Sequence, residues 1–424
     1  MNHGGNEKTS TVIEDVIARK IFDSRGRETI EIDVLTMEGF GRASAPAGAS
    51  TGKAEAVPYP EGRVDQAIRK VQEDIAPELI GMKAEEQETI DLLLHEIDGT
   101  EDFRNVGGNT ACAISIATAE AAASSYGIPL FQHLAGSLTT RLPYPLGNVL
   151  GGGKHTRGKA TDIQEFLVLP LKAENFFDAA KTNVKVHQRV CSLLQEKDPS
   201  FTGGRGDEGA WAPNIKDQEA LEVVAKACGE VSEELGLECR VGLDVAASSL
   251  WKPEEKAYAY DSEGIKRDPG EQLEFMRRIV EDYDLAYVED PFHEEDFEAF
   301  TELTKRVKNC LICGDDLFVT NKERLEKGVK ACAGNAIIIK VNQVGTITDA
   351  WETVGLAKSA QYVPVVSHRS GETASTYLAH LAVAFHCPII KSGVVGGERV
   401  AKISELLRIE EMLGSRAKMS TLPV

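Results

Sequence analysis

Six short apolar runs in the second half of the chain each finish in an ionisable residue. VGL leads to Asp244, AYV to Glu289, LICG to Asp315, AIII to Lys340, VPVVS to His368 and PII to Lys391. The successive gaps are 45, 26, 25, 28 and 23 residues, about one strand–helix unit each after the first. Segments between them, such as GEQLEFMRRIVEDY and TDAWETVGLAKSA, are amphipathic. Strands alternating with amphipathic helices predict a parallel sheet. Two earlier runs, PLGNVLG and QEFLVLP, bring the strand count to that of a closed, TIM-like α/β barrel. In such a barrel the C-terminal strand ends converge on one mouth, so residues far apart in sequence would surround one small volume. A single aspartate after a strand usually caps a helix or opens a turn. Six ionisable ends in register are not explained that way.

The first third reads differently. TIEIDVLT, over 29–36, alternates apolar and polar residues as a half-buried strand does. VIARKIF before the DSRGR turn and FGRASA after Glu38-Gly39 complete an expected three-stranded antiparallel sheet. Val64, Ile68, Val71 and Ile75 share one helix face. Residues 109–126 predict an alanine-rich helix with Asn109 as N-cap, ended by Gly127-Ile128-Pro129. SLTTRLPYP, over 137–145, carries two prolines and marks a boundary. At 424 residues the chain is too long for one core. It is expected to divide into an N-terminal α+β domain, 1–140, and an α/β barrel, 141–424.

Charge bounds the partners. The formal net charge is −20, with no basic cluster, which excludes a nucleic-acid binder. No apolar run is long enough to span a membrane. The opening MNHGGNEKTS lacks the apolar core of a secretory signal, so the expected location is cytoplasmic. An acidic chain also repels anionic metabolites at long range. An anionic substrate would therefore need strong local positive charge, part of it from metal ions. Of eight cysteines only Cys310 and Cys313 lie close in sequence. Three apart on a strand they face opposite sides, so buried thiols are expected rather than a redox pair.

Asp244, Glu289 and Asp315 follow runs too apolar for a surface, and would repel one another unless a cation lay among them. Oxygen-only ligands suit a hard ion such as Mg²⁺. Lys340 and Lys391 follow equally apolar runs. Each could snorkel at a strand end. Alternatively burial, the other lysine and a metal ion would together depress the pKa, as a general base requires. Metal carboxylates and buried lysines at one mouth point to proton abstraction beside a carboxylate, with metal stabilising the enolate.

A series of motifs carries a family resemblance: IFDSRG at 21–26, GASTG at 48–52, GGGKH ending at 155, QEF at 164–166, GDEGAWAP at 206–213 and GLDVAAS at 242–248. VEDPF at 288–292, GDDLFVTN at 314–321, KVNQVGT at 340–346, SHRSGET at 367–373, IKSG at 390–393 and LLRIEE at 406–411 follow in order. In these the chain resembles the enolase family over nearly its whole length. The resemblance implies dehydration of 2-phosphoglycerate to phosphoenolpyruvate, and its reverse. It implies a first Mg²⁺ on Asp244, Glu289 and Asp315, two of which, Glu289 and Asp315, also border the substrate. A second Mg²⁺ would be held by substrate and by Ser50 in the lid loop. Lys340 would be the base at carbon 2. Glu208 would be the acid that helps hydroxide leave carbon 3, assisted by Glu165, which also touches substrate. Lys391 would contact the substrate carboxylate and His155 would line the site. In SHRSGET, Arg369 would offer a donor fork and Ser370 a hydroxyl to the phosphate, with His368 facing the reacting centre. A homodimer or larger homo-oligomer is implied, with Arg25 reaching Glu411 of a partner chain.

The chain departs from the family pattern at Thr373-Ala374-Ser375, Val394–Gly397, Tyr59–Arg63, Arg27-Glu28 and Ala210-Trp211. None of these removes a ligand or a proton-transfer residue. Two other readings stand beside the first. One is an enolase-like enzyme for another carboxylate substrate, against which Arg369 and Ser370 speak. The other is a non-enzymatic binding relative, against which the intact Lys340, Glu208 and three carboxylates speak.

Overall fold

In the middle of the strand Glu28–Thr36 every second residue is a branched aliphatic, and Ile30, Ile32 and Val34 are fully buried. Each such side chain contributes about 1.5–3 kcal/mol on burial. In the computed structural model, which describes residues 11–49, 52–156, 158 and 160–424, this strand (β2) lies between β1, Ile13–Phe22, and β3, Phe40–Ser44. The three form the expected antiparallel sheet. The alanine-rich helix Gly108–Ser125 packs on it at close range. A Cβ at Gly41 would stand 1.9 Å from the Ala117 carbonyl oxygen, so glycine permits the approach.

Asn109 is not the cap of that helix. Gly107, at φ 94°, occupies the N-cap position. The Asn109 side chain is buried, and its Oδ1 accepts from Asn342 Nδ2 at 2.9 Å. A polar side chain that looked free to turn onto its own helix is used across the chain instead.

Eight strands then close a barrel in chain order: β4 Tyr144–Gly151, β5 Glu165–Pro170, β6 Cys239–Asp244, β7 Tyr287–Glu289, β8 Leu311–Gly314, β9 Ala336–Ile339, β10 Val363–Ser367 and β11 Ile389–Gly393. Strands β7 to β11 are buried throughout, which is why they read as unbroken apolar runs. The expectation of a parallel sheet needs one correction. β5 runs antiparallel to both β4 and β6. Among the described residues no α-helix separates β4 from β5, so the chain turns back rather than crossing over. Two helices in succession, Phe176–Lys197 and Asp217–Leu235, then carry it to β6. The reversal brings the first residue of β5, Glu165, into register with the last residue of β6, Asp244.

The N-terminal segment docks on the barrel mouth through backbone bonds. Ala47 and Gly371 exchange two, at 2.7 and 2.8 Å, and Ser24 N donates to the Glu372 carbonyl at 2.7 Å. All eight cysteines are free, and Cys310 and Cys313 are buried. Among the described residues no helix is long and apolar enough to cross a membrane.

Candidate active site

Strand register builds the mouth. Glu165, Asp244 and Glu289 pair side by side across β5, β6 and β7. Asp315, Lys340 and His368 follow directly on β8, β9 and β10, and Lys391 lies in β11 opposite Ser367. A narrow cavity is lined by Glu165, Asp244, Asp315, Lys340, His368 and Lys391 together with His155, Glu208, Arg369 and Ser370. Glu289, fully buried, contacts the lining residue Lys391 at 2.8 Å.

On one side lysines stand among carboxylates. Lys391 Nζ is 2.8 Å from Glu289 Oε2, 3.0 Å from Asp244 Oδ2 and 3.4 Å from Glu165 Oε1. Lys340 Nζ donates to Asp315 Oδ2. Burial, and then the Asp244 charge, push Glu289 up to about 8. Burial pulls the Lys340 ammonium down, but Asp315 and Glu289 together offset it and the pKa is raised. The depressed lysine expected from burial is therefore not found here, because the neighbouring carboxylate stabilises the charged form.

On the other side carboxylates face imidazoles. Glu208 comes from the loop between the helices Phe176–Lys197 and Asp217–Leu235. That loop lies so close to β11 that a Cβ at Gly393 would be 2.1 Å from the Glu208 carbonyl oxygen. Glu208 Oε2 accepts from Asn148 Nδ2 at 3.0 Å and lies 3.0 Å from His368 Nε2. His155 lies between the acids, Nδ1 3.7 Å from Glu165 and Nε2 3.7 Å from Glu208. Burial raises Glu165 well above the usual carboxylate range, with the Glu208 charge adding to it. Burial acts on Glu208 too, but His368 and His155 when charged, together with Arg399, outweigh it and hold Glu208 well below that range. Two neighbouring carboxyls are thus driven apart, one toward the acid form and one toward the anion.

Arg369 forks onto Glu55, Nη1 to Oε2 at 2.7 Å and Nη2 to Oε1 at 2.9 Å. Within its own chain, Arg25 turns into the mouth. Its Nη1 donates to Ser370 Oγ at 3.2 Å, and its Nη2 to the carbonyls of Ala47 and Gly48 at 3.1 and 3.2 Å. Glu411 is exposed on the helix Gly397–Leu413.

The oxygen-rich set suits a hard divalent cation. Glu289 Oε1 is buried without a partner, an orphaned acceptor on a carboxylate that has Asp244 and Asp315 for neighbours. Asp244, Glu289 and Asp315 are not one tight triad, since Lys391 stands against the first two and Lys340 against the third. The two tight groups among the described residues are His155-Glu165-Glu208 and Asp290-Asp315-Asp316. In the second, Asp290 already accepts from the backbone N–H of Asp315 and Asp316, at 3.0 and 2.7 Å, and so holds the strand end. Ser50 lies outside the described residues.

Glu55, Asn148, Gln164, Gln343 and Arg399 were not singled out from the sequence. Gln164 donates to Asp244 at 3.3 Å and Gln343 to Asp315 at 2.9 Å. Membership of QEF and KVNQ was the signal available for these two glutamines.

Comparison with known proteins follows the same lines. The model of the enolase C-terminal TIM barrel domain matches residues 139–422, and that of the enolase N-terminal domain residues 13–134. The chain is 55% identical over 414 residues to enolase from Methanothermobacter thermautotrophicus, covering 97% of this chain and 99% of that one. It is 56% identical over 404 residues to enolase from Methanosphaera stadtmanae, covering 95% and 98%. For enolase from Pyrobaculum aerophilum the identity is 48% over 419 residues, covering 97% and 99%.

Proposed function

The chain belongs to the enolase family, and on that premise we propose how its mouth carries out the reaction. It is a hydro-lyase, a phosphopyruvate hydratase that interconverts 2-phospho-D-glycerate and phosphoenolpyruvate in glycolysis and gluconeogenesis. The substrate is a small phosphorylated carboxylate and the cofactor a divalent metal. We take the metal as Mg²⁺ at two sites, the first on Asp244, Glu289 and Asp315, the second on Ser50 and substrate. Bound there, the ions stabilise the charge that gathers on the substrate carboxylate as the carbon-2 proton leaves.

Lys340 is the base at carbon 2. To serve, it must first lose the proton that Asp315 now stabilises, and burial, Arg369 and Lys391 all favour the neutral amine. Glu208 is the acid at carbon 3, with Glu165 holding the proton in reserve beside it. Lys391 contacts the substrate carboxylate. Arg369 and Ser370 bind the phosphate, and His155 and His368 wall the reacting centre. The observation that carries this reading is position around the barrel. β9, which leads into Lys340, and β5, which opens with Glu165, are four strands apart in a closed ring of eight, so the base stands opposite Glu165, the carboxyl that backs the acid Glu208. Removing a proton from one carbon and hydroxide from the next uses groups on two sides.

The same reading takes 1–140 as the lid-bearing domain, 141–424 as the catalytic barrel, the cytoplasm as the location and a homo-oligomer as the assembly. Sedimentation at a monomer's mass would remove the last. The reaction itself is tested by ultraviolet absorbance of phosphoenolpyruvate formed from 2-phosphoglycerate, with Mg²⁺ and then with excess EDTA. Turnover abolished by EDTA is expected. An unchanged rate in Lys340→Ala would overturn the mechanism.

A further inference from the structure

Arg399 is fully buried, third in the helix Gly397–Leu413. Stability alone does not favour it there. A cation near a helix N-terminus opposes the helix dipole, and a buried guanidinium without a matched carboxylate is costly to desolvate. Glu398 approaches only its Nε, at 3.3 Å. The rest of the fork is spent on the mouth. Nη1 lies 2.6 Å from the Arg369 carbonyl and 2.7 Å from His368 Nδ1, and Nη2 reaches the carbonyls of Ser370 and Asp207 at 2.8 and 3.2 Å. One side chain thus ties the phosphate-binding turn to the loop carrying Glu208.

The contact with His368 has a definite sense. Guanidinium can only donate, so His368 Nδ1 is the acceptor. Gly393 N–H points at the same nitrogen, at 3.3 Å. The proton of the neutral ring is then on Nε2, which stands 3.0 Å from Glu208 Oε2 with its N–H directed off that oxygen. Without Arg399 a histidine beside a carboxylate would be free to take a second proton at Nδ1. With a cation 2.7 Å from Nδ1, that site is closed.

We propose that Arg399 is a positioning residue for the dehydration step: it locks His368 in the neutral Nε2–H tautomer, holds the ring beside Glu208, and so keeps the catalytic proton on the carboxyl side of the site. This rests on the reading of Glu208 as the acid. The charged groups facing His368 are Glu208 from the loop, Arg399 from the helix and Glu372 from its own turn.

The test is ¹⁵N NMR of histidine-labelled protein, with His368 assigned from His368→Gln, alongside kinetics of Arg399→Met and Arg399→Lys. In the unsubstituted protein His368 is expected to be protonated at Nε2 only, and to stay neutral below pH 6. In Arg399→Met it is expected to gain Nδ1 protonation near neutral pH. kcat should fall about 10–100-fold, the scale of losing an orienting partner, with KM little changed and the acid limb of the pH profile moved upward. Arg399→Lys, which restores a cation and a donor, should recover part of both signals and serves if Arg399→Met does not fold. A His368 spectrum unaltered in either folded variant, or Nδ1 protonation in the unsubstituted protein, would overturn the proposal. Activity retained in Glu208→Gln would instead overturn the reading of the acid, leaving the His368 spectrum to report on Arg399 separately.

Discussion

On one side of the cavity Lys391 and Lys340 stand among Asp244, Glu289 and Asp315. On the other, Glu165 and Glu208 face His155 and His368, with Arg399 behind. The first side pairs full charges at contact distance in a buried place, so removal of one member leaves its partner uncompensated. The second side separates two carboxyls by environment, one driven to the acid and one to the anion. The difference matches two tasks. Taking a proton from carbon 2 builds negative charge, which cations must meet. Expelling hydroxide from carbon 3 needs a proton delivered, which paired carboxyls can store.

Variants that split the two sides sharpen this contrast. Lys340→Ala should lower kcat by about 10⁴-fold, the upper range for loss of a general base. Glu208→Gln should lower it by about 10²–10³-fold, because Glu165 and the cation side remain. Steady-state kinetics with Mg²⁺ checks both, and equal losses would erase the distinction.

Support of the Glu208 loop gives smaller effects. Trp211 donates its Nε1–H to the His187 carbonyl at 2.7 Å and stacks on the His187 ring at 4.6 Å. Trp211→Phe should cost ~1 kcal/mol of stability in urea unfolding, the value of one buried hydrogen bond. His187 Nε2–H donates to the Gly209 carbonyl at 3.1 Å, and burial pushes its imidazole down from 6.5 to about 4. The unfolded chain therefore takes up this proton first as pH falls. The stability His187 brings is fully present above pH 6.5 and is lost as pH drops toward 4. His187→Gln should flatten that part of the urea midpoint's pH dependence.

The smallest effect concerns approach. Arg27 and Lys154, both exposed, line a cavity with Arg25 and His155 beside the mouth, a basic spot on a chain of net charge −20. Arg27→Asn should lower kcat/KM a few-fold at low salt and weaken its salt dependence, with kcat unchanged. Rates across a sodium chloride series decide it.

The same contrast marks what could be read from the sequence. Asp244, Glu289, Asp315, Lys340 and Lys391 were visible without any relative, since each closes an apolar strand and strand ends of a barrel share a mouth. Glu165 opens its strand rather than closing it, because β5 is reversed. Glu208 and His155 sit in loops that periodicity does not address. Those three came only through family resemblance. Arg399 in GERVAK looks like a solvated helix charge, and Glu55 like any acid in a loop. Their partners are distant in sequence, so only the fold exposes them. Asn109 misled for the same reason, its partner Asn342 lying 233 residues away.

The most direct test of two sides with two tasks is exchange of the carbon-2 hydrogen of 2-phosphoglycerate in deuterated water, followed by ¹H NMR with Mg²⁺ present. Glu208→Gln is predicted to wash out that hydrogen while forming almost no phosphoenolpyruvate, and Lys340→Ala to do neither. Exchange persisting in Lys340→Ala, or vanishing together with dehydration in Glu208→Gln, would contradict the division.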